Sequence, residues 1–130
     1  MHMLNKWIKG YESYFYFVFR VFVGLLFMQH GAQKLFGWFG GNPVDLLSLF
    51  GLAGVIEFFG GLAIVLGLLA NWAALISAVE MAVAYFMVHF PNGWVPIQNN
   101  GELALLFFAA FLVLVIHGSG KWSLDEVVFK

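Results

Sequence analysis

Four long apolar segments, separated by short connections, constrain this chain more than any other feature of its sequence. A helix that crosses about 30 Å of hydrocarbon, rising 1.5 Å per residue, needs roughly 20 mostly apolar residues. The segments that approach this length run over about residues 14–36, 52–70, 72–90 and 101–117. We therefore expect an all-α membrane protein, a single bundle of four transmembrane helices that occupies residues 1–130.

The amino-acid composition supports the same class. Hydrophobic residues make up 62% of the 130 residues and charged residues only 10%, whereas a soluble domain usually carries about 25% charged residues. The net charge of −1 excludes the basic surface that nucleic-acid binding requires. Because the chain has no cysteine, it can form no disulfide, thiolate ligand or iron–sulfur cluster of its own. Redox chemistry would therefore need a bound cofactor or a partner protein.

The connections between the segments differ in length and composition. Residues 37–51 are rich in glycine and include a proline, which predicts a loop between the first two spans. We expect Asn71 alone to turn the second span into the third, which makes these two spans a tight antiparallel pair. In the loop at residues 91–100, Asn100 is the predicted N-cap of the fourth span, and Glu102 suits the first turn of that helix.

The lysine positions predict the orientation of the bundle. Lys6 and Lys9 precede the first span, Lys121 and Lys130 follow the fourth, and the loop at 91–100 carries no charge. Basic residues favour the cytoplasmic side of a membrane, so we expect both termini to lie in the cytoplasm.

Ionisable side chains within the spans are the candidates for function, because each is costly at membrane depth. Arg20 and Glu80 lie at similar counted depths from the same side, and small residues flank both of them. The sequence therefore predicts an Arg20–Glu80 ion pair inside the bundle. Two roles stay open for it, a static tie that fixes helix register or a pair that gates or relays protons.

A second polar group lies toward the other side of the membrane. His30 and Lys34 lie near the outer end of the first span and Glu57 near that of the second, while His89 and Glu102 flank the following loop. One interpretation is a single pocket, open to the non-cytoplasmic side, for a quinone-like or other small amphipathic ligand. The other is that these residues reach for lipid headgroups and include one Lys34–Glu57 pair.

The remaining sequence signals concern packing and chemistry. Small residues let two helices approach closely, and the candidates for such contacts are Gly24, Gly31, Gly60 and Gly61. No two histidines share a helical ligand spacing, so we expect no metal site. The spans contain almost no hydroxyl groups and no thiol, so the sequence identifies no catalytic nucleophile.

Four motifs, taken in order and spacing, match one known family. They are Arg20 followed by Gly24-Leu25-Leu26-Phe27, His30-Gly31 and Gln33-Lys34-Leu35-Phe36-Gly37; Glu57 with Gly60-Gly61 and Gly67-Leu68; Asn100-Gly101-Glu102; and the tail Gly118-Ser119-Gly120-Lys121-Trp122-Ser123-Leu124-Asp125. In this combination they resemble the DoxX family of small membrane proteins, over nearly the whole chain from about Phe17 to Asp125.

The resemblance implies a four-helix protein of the bacterial inner membrane. Members of the family have been linked to quinone-coupled sulfur oxidation, to membrane complexes that handle oxidative or thiol stress, and to detoxification of quinones or catechols. The positions that match the family pattern are Arg20, His30, Lys34, Glu57, Gly60, Gly61 and Glu102. The lack of cysteine argues against covalent sulfur intermediates on this chain.

The leading functional hypothesis is a membrane subunit of a redox-linked complex that associates with quinone. In it, His30, Lys34 and Glu57 would hydrogen-bond a quinone carbonyl or exchange its protons. The expected partners are the lipid bilayer and other subunits of the complex, with a homo-oligomer left open and a stand-alone enzyme not expected. The alternatives are a transporter of protons or a small solute, and a membrane scaffold or assembly factor.

Overall fold

The computed structural model describes residues 2–130, and the chain forms only helices and loops within that range. The helices are α1 (His2–Ile8), α2 (Glu12–Phe36), α3 (Leu49–Leu66), α4 (Ala70–Ala84), α5 (Pro96–Asn99), α6 (Glu102–His117) and α7 (Leu124–Val128). A 3₁₀ turn at Lys9–Tyr11 joins α1 to α2, and α4 continues as a π-helix at Tyr85–His89 and a 3₁₀ turn at Phe90–Asn92.

Three helical stretches are long and apolar enough to cross a membrane. They are His2–Phe36, Leu49–Leu66 and Ala70–Asn92, whereas the apolar helix α6 is shorter, with 16 residues. At 1.5 Å per residue α6 is about 24 Å long. The prediction of an all-α, four-helix membrane fold is confirmed, and the side of the membrane on which the termini lie stays a prediction.

The turn between α3 and α4 differs from the predicted one. The chain reverses over Gly67–Leu69, where Gly67 takes a left-handed conformation with φ of 68° and ends α3. Asn71 lies one turn later, inside α4, and its side-chain amide donates to the carbonyl of Val115 at 2.8 Å. Assigning the turn to Asn71 was therefore wrong, because a left-handed glycine can reverse the chain and frees the asparagine to link α4 to α6.

The start of α6 also differs from the prediction. Asn100 has a left-handed backbone with φ of 63° and ends α5, so it is not the N-cap of α6. Gly101 occupies the N-cap position, and its N–H donates to the Asn99 side chain at 2.8 Å. Glu102 does lie in the first helical turn, as its acidic side chain predicts.

The first two spans pack closely because glycine replaces larger side chains at their contacts. A Cβ atom on Gly31 would lie 2.3 Å from the backbone nitrogen of Phe58, and one on Gly24 would lie 2.8 Å from the Gly61 carbonyl oxygen. Gly60 faces the other way, and a Cβ there would lie 3.0 Å from the Ser77 hydroxyl on α4. Three of the four glycines predicted to pack thus lie between α2 and α3, and the fourth lies between α3 and α4.

The bundle has two ends with different contents, which we name by what lies there. The termini end contains the start of α2, the Gly67–Leu69 turn and the tail at 118–125, and the loop end contains residues 37–48 and 93–101. Between the two, Phe27 of α2 and Phe111 of α6 are fully buried, with ring centroids 4.7 Å apart. This aromatic layer separates the two ends of the molecule.

Candidate functional site

A cavity of about 880 Å³ occupies the half of the bundle toward the loop end. All four spans contribute to its wall, which is mainly apolar. The polar or ionisable residues that line it are His30, Lys34, Glu57, Glu80, His89 and Asn100. A small set of polar groups in an apolar cavity is the usual composition of a small-molecule site.

The cavity also reaches the surface that faces lipid. Its wall includes Leu52 on α3 and Ile76, Val79 and Val83 on α4, and all four side chains are substantially exposed. Since these residues lie on membrane-spanning helices, the medium outside them is hydrocarbon rather than water. The opening therefore runs sideways, between α3 and α4, into the bilayer.

An ion pair between Lys34 and Glu57 forms the polar centre of the cavity. The Lys34 Nζ atom lies 2.6 Å from Glu57 Oε1, and the lysine side chain is 27% exposed against 3% for the glutamate. Gly54, one turn from Glu57, makes room for the lysine, because a Cβ there would lie 3.0 Å from Lys34 Cβ. Glu57 thus provides a buried negative charge that holds the more accessible lysine at the cavity wall.

Glu80 belongs to this same site. Gly60 and Ser77 face each other across the antiparallel helices α3 and α4, so one turn toward the loop end Glu57 faces Glu80. The Glu57 and Glu80 carboxyl groups lie within hydrogen-bonding reach of each other. The Oε1 atom of Glu80 is buried and has no hydrogen-bond partner within residues 2–130.

The predicted Arg20–Glu80 ion pair is wrong. Arg20 donates instead to backbone carbonyls, and Lys34–Glu57 is the salt bridge found within residues 2–130. The physical reason is register. A Cβ on Gly67 would lie 3.1 Å from Arg20 Cζ, so Arg20 is level with the α3–α4 turn. Glu80, ten residues beyond Ala70 at the start of α4, lies about 15 Å farther along the bundle.

Arg20 holds the C-terminal tail against the end of the bundle. Its guanidinium donates to the carbonyls of Ser119, Lys121 at 3.1 Å, Trp122 at 3.0 Å and Val65 at 3.3 Å. The side chain is only 1% exposed. Four carbonyl acceptors disperse the buried positive charge, so Arg20 acts as a structural clamp.

The tail in turn caps α4. The carboxylate of Asp125 accepts from the N–H of Leu69 at 2.9 and 3.0 Å and from the hydroxyl of Ser119 at 2.5 Å. A carboxylate at a helix N-terminus is favourable because free N–H groups point toward it. The hydroxyl of Tyr16 donates to the Gly118 carbonyl and adds a second tie to the tail.

The two histidines line the cavity from opposite walls. His30 lies edge-on to Phe107, with ring centroids 5.8 Å apart, and the Nδ1 atom of His89 lies 3.2 Å from the Asn99 carbonyl. A regular α-helix would place His89 opposite Glu80. The π-helix at Tyr85–His89 has more residues per turn, so His89 is rotated less far around the helix axis than an α-helix would place it. Both His89 and Glu80 therefore line the cavity.

The five residues predicted to form one pocket are therefore only partly brought together. His30, Lys34, Glu57 and His89 line the cavity, but Glu102 is exposed and does not line it. The next two residues of α6, Leu103 and Ala104, face the cavity in its place. Within residues 2–130 no three His, Asp or Glu side chains are arranged to hold a metal ion.

The predicted level of Glu80 in the bundle was wrong, although the sequence contains a signal for its true place. A turn at Gly67–Leu69 places Glu80 opposite Glu57, whereas a turn at Asn71 shifts the register by more than one helical turn. The Gly67-Leu68 motif marks the correct turn, because glycine favours the left-handed conformation that ends a helix.

Comparison with known proteins places the chain in a family. A family model described as DoxX matches residues 15–90, more than half of the chain. An uncharacterized protein of Haemophilus influenzae is 39% identical over 95% of this chain and 97% of its own length. The inner membrane protein YqjF of Escherichia coli is 31% identical over 95% of this chain and 98% of its own.

A more distant relative has a name that refers to chemistry. CatD of Bacillus subtilis, which its name describes as a candidate oxidoreductase, is 27% identical over 85% of this chain and 84% of its own length. No solved structure gives a significant match to the chain.

Proposed function

Because this chain belongs to the DoxX family of membrane proteins, we propose that its cavity binds a quinone-like ligand from the bilayer. In this proposal the protein is the membrane subunit of a redox-linked complex in the bacterial inner membrane. The single observation that carries the proposal is a lipid-facing cavity of about 880 Å³ with one buried ion pair in its apolar wall.

The size and shape of the cavity suit an amphipathic molecule. Small-molecule sites usually occupy about 300–1,000 Å³, and this cavity of about 880 Å³ falls within that range. A ring with polar substituents fits beside Lys34 and Glu57, while an apolar tail passes between α3 and α4 into lipid. A fully water-soluble ligand would gain nothing from the lateral opening.

Particular side chains have defined roles in this proposal. Lys34 donates a hydrogen bond to a carbonyl oxygen of the ligand, and Glu57 holds the lysine in place at 2.6 Å. His30 lies one turn from Lys34 on α2 and also lines the cavity, so it can exchange a proton with a ligand oxygen. The chain has no cysteine, so electrons would come from a partner subunit or its cofactor.

The name of the Bacillus subtilis relative lends support to a redox setting. Its description as a candidate oxidoreductase agrees with a ligand that accepts and releases electrons. YqjF, by its printed name, is an inner membrane protein, which supports the same membrane for this chain.

The two alternatives fit the packing less well. A transporter needs a path through both halves of the bundle, yet Phe111, Ile64 and Leu114 are fully buried between the cavity and the clamped tail. A scaffold needs no cavity, and a bundle packed solid around its ion pairs would have favoured it. The cavity therefore supports ligand binding over either alternative.

The proposal is tested by asking what the purified protein retains and binds. We expect mass spectrometry of the protein, extracted in mild detergent, to detect co-purified quinone. We also expect a decyl-substituted benzoquinone to raise the thermal unfolding temperature in proportion to the logarithm of its concentration, since a ligand that binds only the folded state stabilises it. Finding no retained quinone and no thermal shift would overturn the proposal.

The chain offers a matched pair of variants for this experiment. Glu57→Gln changes a buried carboxylate in the cavity wall, and Glu102→Gln makes the same change at an exposed site outside it. We expect the first to reduce the thermal shift produced by the benzoquinone and the second to leave it at the wild-type value. Equal effects of the two variants would argue against the cavity as the binding site.

A further inference from the structure

The second histidine of the cavity has no role in the proposed function, yet one of its two nitrogens is already engaged. His89 ends the π-helix that continues α4, and its Nδ1 atom lies 3.2 Å from the backbone carbonyl oxygen of Asn99. A carbonyl oxygen can only accept a hydrogen bond, so Nδ1 carries the proton that it donates. In the neutral imidazole the other nitrogen, Nε2, is then an acceptor.

The carbonyl that fixes this proton belongs to a well-bonded part of the loop. Asn99 is only 1% exposed. Its side-chain amide donates to the Tyr85 hydroxyl at 3.1 Å and to the Gly93 carbonyl at 3.0 Å, and its side-chain oxygen accepts from the N–H of Gly101 at 2.8 Å. Because these contacts hold Asn99 in place, its backbone carbonyl keeps its position beside His89.

The Nε2 atom of His89 is accessible to a ligand. It makes no hydrogen bond within residues 2–130. It is not buried either, since the buried and unpaired side-chain atoms of that range belong to Arg20, Ser77 and Glu80. The two nitrogens of an imidazole point to different sides of the ring, so Nε2 points away from the Asn99 carbonyl while the side chain lines the cavity. The cavity wall therefore includes an acceptor whose tautomer is fixed.

The local backbone also favours a functional role for this residue. A π-helix is rare and frequently occurs at a functional site. Here the π-helix at Tyr85–His89 lets His89 line the cavity together with Glu80. Lys34, the proposed donor to the ligand, lies on α2 in the opposite wall. The cavity thus offers a donor on one side and an acceptor on the other.

We propose that Nε2 of His89 accepts a hydrogen bond from a hydroxyl group of the ligand, so that the cavity binds the reduced, dihydroxy form of a quinone-like ring more tightly than the oxidised form. This inference rests on the proposed function and names the redox form that the site prefers. One hydroxyl oxygen of the ring accepts from Lys34, and the hydroxyl on the far side donates to His89. A ring with two carbonyl oxygens has no donor, and it would place two acceptors against each other at His89.

Two substitutions separate ligand binding from a structural tie. A purely structural role would consist of the Nδ1–H bond to Asn99, which links the end of α4 to the loop. The amide nitrogen of asparagine occupies about the position of Nδ1 in histidine, and the amide of glutamine reaches about that of Nε2. His89→Asn therefore keeps the tie and removes the acceptor from the cavity, whereas His89→Gln keeps an acceptor there and loses the tie.

His117→Asn is the matched control, because His117 is exposed, lies at the termini end and does not line the cavity. The probe is a decyl-substituted benzoquinone, titrated at about pH 8, where a free imidazole is mostly neutral. It is added in its oxidised form and, with oxygen excluded, in its reduced form.

We expect the wild type to bind the reduced form about tenfold more tightly, the usual effect of one buried hydrogen bond. His89→Asn should lose this preference while its thermal unfolding temperature stays near that of the wild type. His89→Gln should keep most of the preference but unfold at a lower temperature, and His117→Asn should match the wild type in its preference. A purely structural role predicts the reverse for binding, with the preference kept in His89→Asn and lost in His89→Gln.

Nitrogen NMR of protein labelled at its histidines gives a readout that a structural tie does not produce. We expect an unprotonated-type nitrogen signal, absent from both His89 variants, to shift toward the protonated type when the reduced probe is added and to stay in place with the oxidised probe. If the wild type binds both forms equally, or if His89→Asn keeps the preference and no signal shifts, this inference is overturned and the proposed function stands. If the wild type binds neither form, both are overturned.

Discussion

The two ends of the bundle treat buried charge in opposite ways. At the termini end, the side chain of Arg20 is 1% exposed and its guanidinium donates to four backbone carbonyls. At the loop end, Lys34 and Glu57 pair with each other beside a cavity of about 880 Å³, and Glu80 keeps an unpaired oxygen. At the termini end, backbone carbonyls surround the buried charge and hold the tail in place, whereas at the loop end the charged groups border a cavity that has room for a ligand.

The largest effect that would test this comparison is the loss of the clamp. Arg20→Met leaves four carbonyl groups without their donor, and hydrogen bonds to charged groups are worth about 1.5–3 kcal/mol each. We expect the free energy of unfolding in detergent to fall by about 4 kcal/mol or more. Arg20→Lys keeps the charge but has fewer donors in a fixed geometry. Its free energy of unfolding should therefore lie between those of the wild type and Arg20→Met. An unfolding free energy unchanged in Arg20→Met would show that the clamp is not structural.

A smaller effect is expected where the tail meets the α3–α4 turn. A Cβ on Gly67 would lie 2.3 Å from Ser123 Cβ, and Gly67 has φ of 68°. Overpacking costs about 1–3 kcal/mol and a left-handed backbone without glycine about 1–2 kcal/mol, so Gly67→Ala should destabilise by about 3 kcal/mol.

Gly40→Ala is the control for that substitution, because Gly40 has φ of 78° but nothing within 4 Å of the added Cβ. It should cost only the backbone strain, about 1 kcal/mol. Chemical denaturation measures the loss of unfolding free energy in Gly67→Ala and in Gly40→Ala. The difference between the two losses is the cost of the clash with the tail. Equal losses in the two variants would mean that the tail does not pack against the turn in the folded protein.

The smallest effect on stability is expected for the ion pair at the loop end, although its effect on binding is large. Lys34→Met leaves Glu57 unpaired, but the lysine side chain is 27% exposed rather than fully buried, so we expect a loss of about 1–2 kcal/mol. The double variant with Glu57→Gln should recover most of this stability and none of the quinone binding. Should the double variant bind benzoquinone as the wild type does, the loop end would be structural like the termini end.

Much of the fold was predictable from the sequence, and less of the site. The four apolar segments and the DoxX resemblance are confirmed, because a helix that crosses a membrane needs a long apolar run that hydropathy detects directly. The predicted end of the second span at residue 70 was four residues too late, since α3 ends at Leu66. That small error was enough to shift the register of Glu80 against Glu57.

Two features of the site depend on irregular backbone that hydropathy does not detect. The π-helix at Tyr85–His89 lets His89 line the same cavity as Glu80, although a regular α-helix would place the two residues on opposite faces. The left-handed Asn100 ends α5, and α6 starts so that Leu103 rather than Glu102 faces the cavity. In each case a local departure from the α-helix decides which side chains meet.

The amino-acid sequence is enough to establish that this protein lies in a membrane, how many apolar helices it has, and which ionisable residues lie within them. These follow from hydrophobicity and chain length, which are properties of each segment alone. The contacts of those residues follow from the tertiary structure: Arg20 donates to the carbonyls of the tail, Lys34 pairs with Glu57, and Glu80 lines the cavity. The physical reason is that a partner depends on the register between helices, and register is set by turns, glycine contacts and a folded tail that lie far apart in the chain.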